Sequence, residues 1–246
     1  MIFLKTDEEV ELLRESNKLL GMTYGELAKV IAPGVSTAQL DKLAEEFIRD
    51  NGGIPSCKGY EGYPATLCTS VNEQVVHGIP SDKRIIKEGE IVSLDTGAVV
   101  DGWYGDAARS VYVGKISPEK KRLIDVTKEC FFKGAAAVME GAAIGDIGYA
   151  VQTYAESNGF SVVREMVGHG VGKHLHEDPS VPNYGKRGVG ARIRKGMTLA
   201  IEPMINMGDY KVHIDGWDCI TKDGLPSAHY ENTVALTDNG VEILTL

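Results

Sequence analysis

Apolar residues recur near helical spacing at Val10, Leu13, Leu20 and Leu27, behind the capping-box pair Thr6 and Glu9. This predicts a first helix that Pro33-Gly34 stops. Ser36 with Gln39 opens a second, whose Leu40, Leu43, Ala44, Phe47 and Ile48 keep an i, i+3, i+4, i+7, i+8 rhythm until Asn51-Gly52-Gly53. Between Ile54 and about Lys87 the chain is punctuated by Gly and Pro, with a short strand predicted at 67–70 and a loop at 75–80. The stretch 91–113 reads as two strands rich in Val, Ile and Tyr around an Asp101-Gly102 turn. Ser117-Pro118 predicts a helix start and a run to about Met139. Asp146 is expected to cap a further helix ending at Asn158-Gly159. Strands are predicted at 162–166, 198–206 and 229–236, and a last one after Asp238-Asn239-Gly240.

That order repeats. A shift of 107 positions lays Leu40 on Ile147, Ala44 on Val151, Phe47 on Tyr154 and Asn51 on Asn158, and it lays Asp95 on Glu202. Two helices followed by an acid-bearing strand, twice, predict one domain over 1–246 built from related halves, approximately 1–113 and 114–246, with the acids meeting between them.

The acids conflict with their surroundings. Asp95 sits in a run apolar enough to be buried on both faces, and a buried carboxylate costs several kcal/mol unless a cation meets it. Asp106 lies on the return strand. Glu202, in Thr198-Leu-Ala-Ile-Glu202, and Glu231, before Asn232-Thr-Val-Ala-Leu, repeat the conflict. Any one such acid is more often a surface position or a structural ion pair, but four together point to bound cations. His169, within Gly168-His169-Gly170-Val171-Gly172, is expected to take glycine-assisted positive φ and bring its imidazole to the bound group. An oxygen-rich set with one nitrogen and no thiolate suits Mn²⁺, Fe²⁺, Co²⁺ or Zn²⁺, and four carboxylates balance two divalent ions. His77 and His176 stand in turn-like contexts that project into a cleft. Taken singly, each of these, like His174, His213 and His229, reads as a surface histidine.

Composition narrows the class. A net charge of −9 with 43% hydrophobic and 25% charged residues describes an ordinary globular protein, not a general binder of nucleic acid or anionic membrane. Cys57, Cys68, Cys130 and Cys219 show no C-x-x-C spacing and read as reduced thiols. No signal-peptide core or bilayer-length apolar run is found, so a cytoplasmic protein is expected.

These residues resemble a known family. Asp95, Asp106, His169, Glu202 and Glu231 are similar to the dinuclear ligand set of the pita-bread metallopeptidases. Gly59-Tyr-Glu-Gly-Tyr-Pro64, Cys68-Thr-Ser-Val-Asn-Glu-Gln-Val-Val-His77-Gly-Ile-Pro80, Asp101-Gly-Trp-Tyr-Gly-Asp106, Gly168-His-Gly-Val-Gly172, Glu202-Pro203 and Ser227-Ala-His-Tyr-Glu-Asn-Thr233 narrow the resemblance to type I methionine aminopeptidases, over nearly the whole chain. It implies an α+β fold of two pseudo-twofold halves, with a central antiparallel sheet covered by helices and a dinuclear metal site between the halves. It also implies removal of the initiator methionine when the second residue is small. The metal pair would lower the pKa of a bridging water that attacks the first peptide carbonyl. By the same resemblance Glu202 is also a proton shuttle, His77 serves the scissile nitrogen and His176 the carbonyl oxygen. Cys57, Tyr60, Tyr63, Cys68, Leu175 and Trp217 line the methionine pocket, and carbonyls around Asn72 and Ser227 bind a monovalent cation, Na⁺ or K⁺. The implied partners are nascent polypeptide N-termini, met at the ribosome, with no specific nucleic-acid recognition, no membrane, and a monomeric enzyme. Leu175, Val76, His229 and Asn232 depart from the commoner residues at their positions without touching a ligand. If Asp95 and Asp106 share a metal, a bulge or a longer loop is expected in place of a tight turn between their strands.

Three rivals compete. Proline-specific or creatinase-like relatives usually carry an extra N-terminal domain, and type II enzymes a helical insertion between the positions of His169 and Glu202. A pseudoenzyme that kept the fold to bind ribosomes, RNA or protein would not be expected to retain all five ligands.

Overall fold

The computed structural model describes residues 1–245. In chain order its elements are α1 (Asp7–Val30), α2 (Thr37–Asp50), β1 (Ile54–Pro55), β2 (Cys68–Val71), β3 (Gln74–Val76), β4 (Ile91–Val100), β5 (Trp103–Tyr112), α3 (Pro118–Ala135), α4 (Ile144–Ser157), β6 (Ser161–Val162), β7 (Gly168–Gly170), β8 (Glu177–Val181), β9 (Thr198–Ile201), β10 (Met204–Asn206), β11 (Val212–Asp215), β12 (Asp218–Thr221), β13 (Ser227–Thr237) and β14 (Gly240–Ile243). Both capping boxes form. The Thr6 and Ser36 hydroxyls accept from the Glu9 and Gln39 amides, and those side chains accept in return from the Thr6 and Ser36 amides. Asp146 acts from inside α4, which already begins at Ile144. Its carboxylate accepts from the Ala143 and Gly188 amides, each at 2.8 Å. α3 stops at Ala135 and not at Met139, because the chain tightens there into turns closed by Ala137 N–H to Gly134 O and Val138 N–H to Ala135 O.

The central sheet is antiparallel in the order β1-β4-β5-β13-β9-β7-β8, with β2 beside β4, and β10 and β14 beside β13. A three-stranded sheet joins β11, β12 and β3. β3 thus takes in Val75 and Val76, the start of the loop expected at 75–80, since its partner, around Cys219, is remote in sequence. Of the expected strand at 162–166 only β6 pairs. The expected strand at 198–206 is divided into β9 and β10, because Pro203 has no N–H to give the ladder. The helices α1 and α3 pack on one face of the sheet. Ala107 of β5 meets Leu19 and Leu20 of α1, and a Cβ on Gly105 would lie 2.9 Å from the Ser16 backbone. Odd-numbered positions of β5 therefore face the helices, while Asp106 and Ala108 point away from them.

The 107-residue repeat is present in three dimensions. α2 and α4 are both 14 residues long and begin at Thr37 and Ile144. The isolated bridges Ser36–Ile85 and Ala143–Arg192 recur at the same displacement, as do the starts of β4 and β9. The expected pseudo-twofold pair of halves is the architecture observed.

The turn between β4 and β5 overturns the expected bulge. The ladder runs without interruption from Ile91–Tyr112 to Val100–Trp103, around a two-residue loop in which Asp101 and Gly102 both have positive φ (50° and 79°). Asp95 is opposite Ala108, and Asp106 is opposite Gly97. The two acids are diagonal neighbours on one face, about 7–8 Å apart by ordinary sheet geometry, and their carboxylates reach one cavity without a bulge.

Candidate metal centre and substrate cleft

Strand register assembles the acids. Ala108 is opposite Asp95 on one side and Glu231 on the other, and Cys68 is opposite Asp95. The pairs Ile201–Asn232 and Met204–His229 share one register on either side of the Glu202-Pro203 break, which sets Glu202 across from Glu231. Cys68, Asp95, Ala108, Glu231 and Glu202 thus form one row across five neighbouring strands, on the face turned away from α1. Asp106 is two residues along β5 from Ala108. His169 pairs with Ala200, two residues before Glu202, and so joins the same face.

The glycines around His169 serve a purpose other than the one expected. None has positive φ. A Cβ on Gly168 would lie 2.3 Å from Ala200 O, and one on Gly170 would lie 2.4 Å from Asp178 O, so their lack of side chains lets β9 and β8 close on β7. The His169 Nδ1–H donates to Gly170 O at 2.8 Å, which leaves Nε2 as a lone-pair donor. Nε2 faces Asp106 Oδ2 at 3.6 Å and Glu202 Oε1 at 3.5 Å. Ligand atoms of Asp106, His169 and Glu231 all lie within 4.8 Å of one another. Glu231 is 2% exposed, and among the described residues its Oε1 finds no hydrogen-bond partner. A buried carboxylate oxygen without a donor, beside an imidazole nitrogen that has no proton, fits a divalent cation.

The electrostatics agree. Burial, then Asp95 and Glu202, pushes Asp106 well above the usual carboxylate range. Burial and Asp95 do the same to Glu202. Burial followed by Asp106, Glu202 and Asp95 raises Glu231, with Arg109 opposing. Asp95 is raised by burial and eased by His229. Burial and the neighbouring His176 push His169 down to about 3.

The cavity above the acids measures about 270 Å³. The residues expected to surround the substrate, Cys57, Tyr60, Tyr63, Cys68, His77, Leu175, His176 and Trp217, all line it, together with Asp95, Asp106, His169 and Glu202. Glu231 lies beneath them. Tyr63 and Trp217 meet edge to face at 5.2 Å, and Trp217 meets His77 at 6.1 Å. His77 has φ of 62°, outside the usual range for a non-glycine residue, and its imidazole is pushed down to about 4 by burial and by His229. His176 Nδ1 shares a 2.7 Å hydrogen bond with Tyr60 OH. Burial lowers its pKa, with Glu61 opposing.

Several residues were missed. Met166, Val167 and Met204 also line the cavity. Arg109, behind the acids, donates to Asn232 Oδ1 at 2.6 Å and to the Glu231 carbonyl. His229 is not a surface residue: it is 1% exposed, with Nε2 3.6 Å from Glu202 Oε2. Period-two alternation along β13 places it on the same face as Glu231, a signal that was available in the sequence. His174 and His213 are exposed, as expected.

A model of metallopeptidase family M24 matches residues 11–238. The methionine aminopeptidase of Clostridium acetobutylicum is 53% identical to this chain, over 100% of it and 99% of that protein. The crystal structure of methionine aminopeptidase from Rickettsia prowazekii superposes with a TM-score of 0.98 at 42% identity, covering 100% of both chains. An Xaa-Pro dipeptidase from Bacillus anthracis superposes at 0.80 with 23% identity, over 98% of this chain but 61% of its own, a likeness of fold alone.

Proposed function

This chain belongs to metallopeptidase family M24, and from that premise we infer that it is a metal-dependent aminopeptidase that removes the initiator methionine from nascent proteins when the second residue is small. The observation that carries the reading is the acid row, completed by Asp106 and a His169 whose Nε2 is free to donate, at the floor of a cavity walled by aromatic and sulfur groups. Asp95, Asp106, His169, Glu202 and Glu231 would hold two divalent ions, drawn from Mn, Fe, Co and Zn. When bound, such ions supply a water of lowered pKa and a Lewis acid for the carbonyl.

The chain's own groups do the rest. Cys57, Cys68, Tyr63, Leu175 and Trp217 bind an unbranched thioether, to which sulfur and aromatic faces are well matched. With Tyr60 OH donating to His176 Nδ1, the His176 Nε2–H is left to donate to the carbonyl oxygen. His77, neutral at pH 7, serves the scissile nitrogen, and Glu202 carries the proton from the attacking water to the leaving amine. A monovalent ion, Na⁺ or K⁺, is assigned to carbonyls near Asn72 and Ser227, which are joined by Ser227 N–H to Asn72 O at 2.8 Å. The enzyme works as a monomer on nascent N-termini in the cytoplasm, at the ribosome. No helix of the described residues is long and apolar enough to cross a membrane.

The test is turnover by the metal-reconstituted protein of Met-Ala-Ser, Met-Leu-Ser and Xaa-Pro peptides. Methionine release from the first alone is expected. Cleavage of Xaa-Pro instead, or no turnover with any divalent ion, overturns the reading.

A further inference from the structure

His229 belongs to no role described above, yet its setting is costly. It is 1% exposed, and among the described residues neither ring nitrogen has a hydrogen-bond partner. Buried polar groups are nearly always paired, so a stranded imidazole needs a reason. Its backbone is pinned. The amide donates to Ser110 Oγ at 2.8 Å, and that hydroxyl donates to the His229 carbonyl at 2.9 Å. The side chain lies on the metal-facing side of β13, two residues from Glu231 and across from Met204, which is itself two residues from Glu202. Nε2 stands 3.6 Å from Glu202 Oε2, and the other Glu202 oxygen is 3.5 Å from the His169 donor nitrogen. Glu202 therefore lies between two imidazoles, one that lines the cavity and one that does not. His229 does not line the cavity and lies outside the group of Asp106, His169 and Glu231.

We propose that His229 is a positioning residue of the metal centre. When the ion draws Glu202 into place, the His229 Nε2–H would close the 3.6 Å gap to Oε2 and commit Oε1 to the ion on the His169 side. This rests on the assignment of Glu202 as a ligand. Groups that orient metal-binding carboxylates typically contribute about 10–100-fold to affinity. The stranded imidazole is then the cost, to the metal-free protein, of holding a ligand ready.

Two substitutions separate the roles. His229→Leu removes the donor and fills the space, while His229→Gln keeps an N–H that can reach the same oxygen. Mn²⁺ binding by titration calorimetry, visible spectra of the Co²⁺-loaded proteins, and thermal melts in chelator are compared with the unsubstituted protein. His229→Leu is expected to weaken Mn²⁺ binding about 10–100-fold and to alter the Co²⁺ spectrum, while melting no lower in chelator, because an unpaired buried polar group has gone. His229→Gln is expected to restore both readouts. Unchanged Mn²⁺ affinity in His229→Leu overturns the proposal, as does a spectrum that His229→Gln fails to restore. If His229→Leu does not fold, His229→Gln binding at least 10-fold weaker than the unsubstituted protein also overturns it. An unsubstituted protein that binds no Mn²⁺ or Co²⁺ refutes the metal centre itself, a separate failure.

Discussion

Gly97 offers a sharp test of how the centre is built. It is directly opposite Asp106, and a Cβ there would lie 2.1 Å from Ser56 Oγ, 2.8 Å from Gly105 O and 3.4 Å from Asp106 Oδ1. Its φ is not positive, so Gly97→Ala brings no backbone strain and acts by volume alone. The Ser56 hydroxyl can rotate away, but Gly105 O is backbone. Carbon and carbonyl oxygen touch at about 3.3 Å, so β4 and β5 have to part by about half an ångström. Overpacking of that kind costs about 1–3 kcal/mol, a fall of roughly 2–12 °C in melting temperature for a chain of this length. Because Gly105 precedes Asp106, the displacement carries this proposed ligand with it, and misplacement of up to about 1 Å costs up to about 100-fold in rate. Melts in chelator, Mn²⁺ isotherms and kcat/KM on Met-Ala-Ser would be measured for Gly97→Ala, Ser56→Ala and the double variant. Weaker Mn²⁺ binding and a loss of tenfold or more in kcat/KM are expected. Ser56→Ala should relieve only the first clash, so recovery in the double variant is partial. A Gly97→Ala protein within about 1 °C and about twofold of the unsubstituted one would refute the reasoning.

Further outcomes are expected. His77→Ala and His176→Ala should each keep the Mn²⁺ stoichiometry while losing about 100- to 10,000-fold in kcat, and a variant that binds fewer ions would mark a misassigned ligand. Burial and mutual repulsion raise the pKa of Asp106, Glu202 and Glu231 in the metal-free fold above the unfolded value of about 4, so protons stay on longer there than in the unfolded chain and the acids' contribution to stability falls as pH rises above it. Metal binding removes those protons. The gap between melting temperatures with Mn²⁺ and with chelator should therefore widen between about pH 5 and about pH 8, and a constant gap would show that the acids are already ionised in the metal-free protein. Glu177→Gln strands the Lys5 ammonium, whose side chain is 4% exposed against 3% for its partner. The expected loss is about 3–5 kcal/mol by denaturant titration, and a change under about 1 kcal/mol would count against it.

The helices and the caps at Thr6, Ser36 and Ser117 were legible because caps and periodicity are local. The acid row was legible in part. Asp95, Glu202 and Glu231 stood out as acids in apolar strands, and the repeat tied two of them together. Their alignment in one row depends on registers between strands distant in sequence, 123 residues for Ala108 with Glu231 and 31 for Ile201 with Asn232, which no local pattern states. The same distance hid β3 and its partner β12. The bulge was expected from strict opposition of two acids, whereas diagonal neighbours on a twisted ladder already converge, and Gly97 keeps that corner open. His229 lies one alternation from Glu231 on β13, so the period of two along the strand places both on the same face.

The acid row also bears on how the chain finds its native pairing. Each proposed ligand lies in, or directly after, a strand whose side chains alternate between two faces, so a one-residue slip in any of four ladders would send one carboxylate or the imidazole to the helix side. Such a misregistered chain could still be compact, helical and well buried. It could not assemble the full set of donors. Ion binding therefore reports on several non-local pairings at once, and in a cell that supplies the metal it would draw the population toward the one arrangement in which all of them are right. On this view the proposed centre would proofread the fold before it served hydrolysis.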